Sequence, residues 1–250
     1  MANTQKTISN EHSKSKSNQQ SKIKAFFIQE NEDNQFIEIG IDEAGRGPMF
    51  GRVYTAAVIL PKDASLFDHS IMKDSKKFHS VKKIQAAAAY IKEKAIAWHV
   101  AYACEKTIDQ VNIRNATHQA MHEAARAVIE KYNTSSRASI DDENAIKYHL
   151  LVDGCDFTPL KDKTDDEPIP HTCIEGGDNL YAAIAAASIL AKTERDKYIE
   201  EMCAEHPDFI TNYDLLKNKG YGTKKHLDGI REHGITPFHR RSFGMCKMFT

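Results

Sequence analysis

The stretch FIEIGIDEAGRGPMFGRVYTAAVIL, residues 36–60, constrains the fold more than any other part of the chain. It holds two apolar runs joined by a turn rich in glycine. Residues 36–41 read as a short strand. Residues 52–60 form an almost unbroken run of alanine and β-branched or aliphatic residues, which reads as a strand buried on both faces. Such a strand has to lie inside a sheet with helices on its faces. The first run stops on two adjacent acids, Asp42 and Glu43. Neighbouring side chains of a strand point to opposite faces. The two acids can therefore share one ligand only if the strand breaks there, and the glycines make a break possible.

Two more acids sit at comparable places. LLVDG ends another apolar strand on Asp153, and EGGDNL places Asp178 just before an alanine-rich helix. Taken one at a time, each has an ordinary reading: a solvated Asp-Glu turn, a turn aspartate, a helix N-cap. Taken together, four carboxylates at strand ends and a helix start could gather a divalent metal that prefers oxygen ligands.

The rest of the chain reads as alternating helix and strand. Helices are expected over 80–94, with Ser80 as N-cap, over 107–131 and over 179–206. Strands are expected in AWHVAYAC, KYHLLVDG and HTCIEGGD. TPLKDKTDDEPIP is a charged loop between prolines, and NKGYGTKKH leads into a helix near 226–233. The pattern predicts an α/β fold, a mixed sheet flanked by helices.

Charge is unevenly spread. Residues 1–24 carry five lysines and one glutamate, and residues 206–250 carry eight Lys/Arg and four acids; with a net charge of −1, the middle carries −9. A basic end can lie along a polyanion while an acidic centre gathers metal, although such asymmetry can also be incidental. The first 22 residues are polar and nearly free of large apolar side chains, so disorder is expected there. The five cysteines are scattered, with no CxxC, which fits reduced thiols and a cytoplasmic location. No apolar run is long enough to span a bilayer and no leader-like apolar stretch opens the chain.

With these residues assembled, the sequence resembles ribonuclease HII, of the ribonuclease H-like nuclease superfamily. The blocks carrying the likeness are GIDEAGRGPMFG, KDSKKF, LLVDG, GGDNLYAAIAAASILAKTERD, KGYGTKKH and HGITPFHRRSF, in order, between residue 36 and about residue 247. A related type, ribonuclease HIII, would carry lysine in the glycine turn and a longer N-terminal domain. The resemblance implies a ribonuclease H-like mixed β-sheet flanked by helices over 25–205, a small helical C-terminal substrate-binding region over 206–250, and a basic extension over 1–24.

It also implies a site. Asp42, Glu43, Asp153 and Asp178 would be catalytic residues and ligands of Mg²⁺ or Mn²⁺, two ions roughly 4 Å apart in the substrate complex. Gly45, Arg46 and Gly47 would read the ribose 2′-OH, the group that separates RNA from DNA. Tyr221 would pack on the sugar that follows. Ser75, Lys76, Lys77, Lys192, Arg240 and Arg241 are expected to meet phosphates, with a solvated surface role as the alternative for each. Asp196 is read as structural, pairing within its helix or with the basic C-terminal block. His118 and His122 have metal-site spacing but lack the glutamate of a zincin. The implied activity is hydrolysis of the phosphodiester 5′ to ribonucleotides in RNA–DNA hybrids and at single ribonucleotides in duplex DNA, leaving 3′-OH and 5′-phosphate ends. No organic cofactor or membrane is implied, and the sequence leaves protein partners open. The rival readings are another metal-dependent nuclease of the superfamily and a non-catalytic nucleic-acid-binding module.

Overall fold

The computed structural model describes residues 23–27, 36–136, 146–161 and 167–249. The expected disordered tail lies outside them, except that Ile23 and Lys24 belong to the fold. Ile23 packs on the core, and Lys24 forms a bridge to Tyr181 in which the Ala182 amide donates to the Lys24 carbonyl at 2.9 Å.

Five strands form one sheet in the order β3-β2-β1-β4-β5. They are β1 (Phe36–Ala44), β2 (Val53–Ile59), β3 (Ala97–Ala103), β4 (Lys147–Asp153) and β5 (His171–Ile174). The first three form an antiparallel meander, and β4 and β5 then add in parallel on the free side of β1. The interior strand β2 is buried along its whole length, as its composition demands. The helices that position the site are α1 (Val81–Lys94), α2 (Glu105–Ser136) and α3 (Ala182–Glu205). Alternate residues of β1 and β2 split the core. Ile39, Ile41, Val53 and Ala57 meet Ala116, Ala120, Ala124 and Val128 of α2. Ala56 and Val58 meet α1 and the alanines of α3 on the other face. A third apolar cluster joins the end of α3 and Phe50 to the C-terminal helices α4 (Asp208–Tyr213), α5 (Leu215–Asn218) and α6 (Lys224–His233).

Two boundaries differ from the sequence expectation for physical reasons. Strand β1 does not break at its acids. Its ladder with β2 continues through Asp42↔Ala56, Glu43↔Thr55 and Ala44↔Tyr54, because the hairpin keeps those backbone groups paired. Glu43 still lies close enough to raise the Asp42 pKa, so the two can share a site without the break that strand alternation predicts. Helix α2 is longer than expected and is interrupted at Asn112, which has φ 68° and ψ 164°. The Asn112 side chain accepts from the Asn115 amide at 3.0 Å, so it caps the longer, second part of the helix.

The alanines of α3 answer a close approach. The helix crosses β1 at Gly40, where a Cβ would overlap the backbone of Ala183 and Ile184. Backbone cannot swing aside as a side chain can, so Gly40→Ala should push α3 off the sheet. We expect a loss of ~3 kcal/mol of folding stability, measured by urea unfolding; an unchanged midpoint would show that the helix has room to move.

Candidate active site

Sheet register builds the site before any side chain is considered. Parallel pairing of β1 with β4 ends at Ile41↔Val152, so the next residues, Asp42 and Asp153, stand side by side at the carboxyl ends of adjacent strands. Asp153 also pairs with Ile174 of β5, and the chain then turns through Gly176, which is left-handed at φ 63°. The Gly177 amide donates to Asp153 Oδ1 at 2.7 Å, which folds the turn back and delivers Asp178 in a short 3-10 segment, Gly177–Asn179. Asp178 is therefore not the N-cap of α3, whose first residue follows Tyr181.

Burial and like charge make Asp42, Glu43 and Asp178 hard to ionise. Asp42 is 4 % exposed. Its pKa is raised by burial and then by Glu43 and Asp153, against hydrogen bonds from the Ser188 hydroxyl and the Glu43 amide (2.7 Å). Glu43 is raised by burial and by Asp153, in opposition to Arg46, whose Nη1 lies 3.7 Å from Oε1. Asp178, equally buried, is pushed up to about 6 by burial, then by Asp153 and Asp74. Lys76 answers them. Burial works against its ammonium, yet Asp178, Asp74, Asp42 and Asp153 hold its pKa above the ordinary value. Among the described residues, no three His, Cys, Asp or Glu side chains already close into a metal-ligand geometry. The donor set nevertheless suits a hard divalent cation: oxygen only, crowded, and short of positive charge.

The glycine turn lies beside the acids. Gly45 has φ 95°, and a Cβ there would overlap the side chain of Arg195. At Gly47, by contrast, a Cβ would meet only Tyr221 Cε1, at an ordinary 3.5 Å. Gly45 is thus required by the packing beneath the turn, while Gly47 and the half-exposed Tyr221 face outward together.

The expected phosphate contacts divide. Lys76 sits among the acids, Lys77 bonds Asn179, and the Arg241 amide bonds Asp109 while its side chain is exposed. Lys192 is paired with Asp196, which fits a structural role for that acid. Two expectations need correction. Arg240 is fully buried and gives its guanidinium to main-chain carbonyls, so it has nothing free for a phosphate. Ser75 is buried with its hydroxyl 3.0 Å from that of Ser188, which places it under Asp42. His118 and His122 bond Thr158 and are not a metal pair. Ser188, Asp74 and Arg195 were missed by sequence reasoning. A signal existed for Arg195: it is the one charge on the stripe 184, 187, 188, 191, 195, 198, 202 that α3 buries or nearly buries.

The family model for ribonuclease HII matches residues 39–246, which include all four acids, the glycine turn and Tyr221. The chain belongs to the ribonuclease HII family. It is 45 % identical over 207 residues to the ribonuclease HII of Parabacteroides distasonis, covering 83 % of this chain and 89 % of that one. It is 42 % identical to that of Cytophaga hutchinsonii over the same shares. Among solved structures, ribonuclease H2 from Pyrococcus horikoshii superposes with TM-score 0.57 at 22 % identity, over 84 % of this chain and 95 % of that one. The ribonuclease HII of the PCNA:RNase HII complex from Archaeoglobus fulgidus gives 0.57 at 21 % identity over 84 % and 96 %. These likenesses bear out the ribonuclease H-like sheet. As a ribonuclease HII family member, the protein is a ribonuclease H type endonuclease and a hydrolase.

Two outcomes follow from this geometry. Gly45→Ala should unfold at markedly lower denaturant, whereas Gly47→Ala should fold normally and lose activity; equal stability of the two would remove the distinction between the turn's inner and outer glycines. The second concerns pH. In metal-free protein Asp178 titrates near 6, against an ordinary value of 3.8, so its contribution to stability is full below the lower value and lost as pH rises through the higher. Measured in chelator, Asp178→Asn should be more stable than wild type at about pH 7.5 and lose that advantage at about pH 4. A difference that ignored pH would mean the carboxyl is not strained by its neighbours.

Proposed function

We propose that this enzyme hydrolyses the phosphodiester 5′ to ribonucleotides in RNA–DNA hybrids and at single ribonucleotides embedded in duplex DNA, leaving 3′-OH and 5′-phosphate ends. What carries the reading is the juxtaposition of a four-carboxylate corner with an exposed turn, Arg46-Gly47, and the half-exposed Tyr221. The acids would sit at the phosphate, and the turn would meet the sugar beside it. Asp42, Glu43, Asp153 and Asp178 would hold Mg²⁺ or Mn²⁺, with two ions expected in the substrate complex. Bound divalent cations would supply what the carboxylates lack: charge to offset the phosphorane and a lowered pKa for attacking water. A related fold, Bst-RNase HIII, has been solved in complex with Mn²⁺, at 16 % identity and TM-score 0.52 over 79 % of this chain and 70 % of that one.

The chain's own residues then have distinct tasks. Ser188, supported by Ser75, and the Glu43 amide orient the Asp42 carboxylate. The Gly177 amide orients that of Asp153. Lys76, with four acids around it in the free protein, is placed to take up a phosphate charge as those acids take up cations. Tyr221 offers a ring face to a sugar, and Gly47 lets a backbone amide approach a hydroxyl without steric hindrance. The five cysteines are all free, which supports a reducing compartment such as the cytoplasm, and no helix among the described residues is long and apolar enough to cross a membrane.

The test is a panel of matched duplexes carrying no ribonucleotide, one, or several, cut in Mg²⁺ or Mn²⁺. The protein should cut the last two 5′ to a ribonucleotide and spare the first, and Asp42→Asn or Asp178→Asn should lower the rate by orders of magnitude. Cutting of the all-DNA duplex would favour another nuclease of the superfamily. Near-normal turnover by either variant would sink the assignment of that ligand.

A further inference from the structure

Two arginines lie beneath the glycine turn, and neither is used by the site as described so far. Arg240 is fully buried and Arg195 is 2 % exposed. A buried guanidinium ordinarily has a carboxylate partner, because desolvating an uncompensated charge is costly. Among the described residues these two form no ion pair, and they lie close enough to repel one another.

Their partners are main-chain carbonyls instead. Arg240 donates from Nε to the Gly51 carbonyl at 2.7 Å, from Nη1 to Arg46 at 2.9 Å and from Nη2 to Gly45 at 2.6 Å. One planar fork thus grips both ends of the turn between β1 and β2. Arg195 donates from Nη2 to the Lys219 carbonyl at 2.7 Å, and its guanidinium lies 5.8 Å from the Tyr221 ring centroid. Its Nε is buried without a hydrogen-bond partner and lies against Gly45, in the space a Cβ would need. Arg195 therefore stands between the turn and the tyrosine loop and touches both. The Met49 amide, donating to the Gly220 carbonyl at 2.9 Å, ties the same two segments further along.

This arrangement has a directional consequence. With the carbonyls of Gly45 and Arg46 held inward by Arg240, the amides of Arg46 and Gly47 have no partner among the described residues, and both residues are exposed. We propose that Arg240 and Arg195 are positioning residues for sugar recognition: they fix the glycine turn and the Tyr221 loop as one rigid reader whose free amides face the ribose 2′-oxygen. This deepens the proposed function and rests on its reading of the turn. Lysine cannot replace Arg240, since an ammonium lacks the planar fork that spans three carbonyls, and at Arg195 it lacks the flat guanidinium that bonds the Lys219 carbonyl beside the Tyr221 ring.

Arg240→Lys and Arg195→Lys test it. Each is to be compared with wild type on a duplex with one ribonucleotide and on the same duplex with an arabinonucleotide, whose 2′-hydroxyl points the other way. The ratio of kcat/KM for the two should fall by ~10-fold or more, while KM changes little. A folded variant whose two rates fall in parallel, with the ratio kept, would overturn the proposal by reducing the arginines to plain scaffold. Should the variants fail to fold, guanidinium NMR of the wild-type protein decides. Two slowly exchanging arginine side chains should shift on binding the single-ribonucleotide duplex and not the all-DNA duplex; shifts with both, or with neither, overturn it. Failure of the underlying functional reading looks different, because wild type itself would then not distinguish the ribonucleotide duplex from DNA.

Discussion

The parallel register of β1 on β4 is the constraint from which the site follows. Ile41 pairs with Val152, so Asp42 and Asp153 emerge side by side, and no rotamer choice can separate their backbones. The register cannot slip. Ile39 and Ile41 must face α2, while Gly40 must face the backbone of Ala183, and a one-residue shift would send every side chain to the wrong face. The cost of gathering like charges is thus imposed by a sheet that is stable for other reasons, chiefly the burial of both its faces. The strain at Asp42 and Asp178 is the local expression of that bargain.

Charge is compensated differently on the two sides of the glycine turn. On the acid side, Lys76 and Arg46 offset carboxylates only in part, which leaves the corner short of positive charge. On the far side, Arg195 and Arg240 hydrogen-bond carbonyl oxygens and form no ion pair among the described residues, with Asp196, Glu105 and Asp109 acting on them only from a distance. The same short turn is held by cations beneath and bordered by anions beside it. That explains how a chain with almost no net charge can set a carboxylate corner short of positive charge beside an exposed turn whose amides have no partner among the described residues.

Much of the fold was legible because its signals are local. A run buried on both faces announced β2, an alanine stripe announced α3, and apolar runs ending in acids announced the corner. What was not legible depends on contacts distant in sequence. Strand β1 reads from the sequence as ending at Ile41, yet its ladder with β2 carries it on to Ala44. Asp178 was open to an N-cap reading, yet a hydrogen bond from the Gly177 amide to the Asp153 carboxylate sets its place. Arg240, in a basic HRRSF block, looked like a phosphate contact; only the return of the C-terminal segment to the turn at Gly45 shows it to be buried. The ordinary expectation that charged residues lie at the surface is a good rule that fails at sites where a charge organises main chain.

The central claim is that four carboxylates, some still protonated for want of positive charge, form a divalent-cation site. Calorimetric titration of metal-free protein with Mn²⁺ near pH 6, in two buffers of different ionisation enthalpy, tests it most directly. The account predicts that Mn²⁺ binding releases protons, that Asp178→Asn releases fewer, and that Asp153→Asn binds far more weakly. Binding that releases no proton and is indifferent to Asp153 would contradict it.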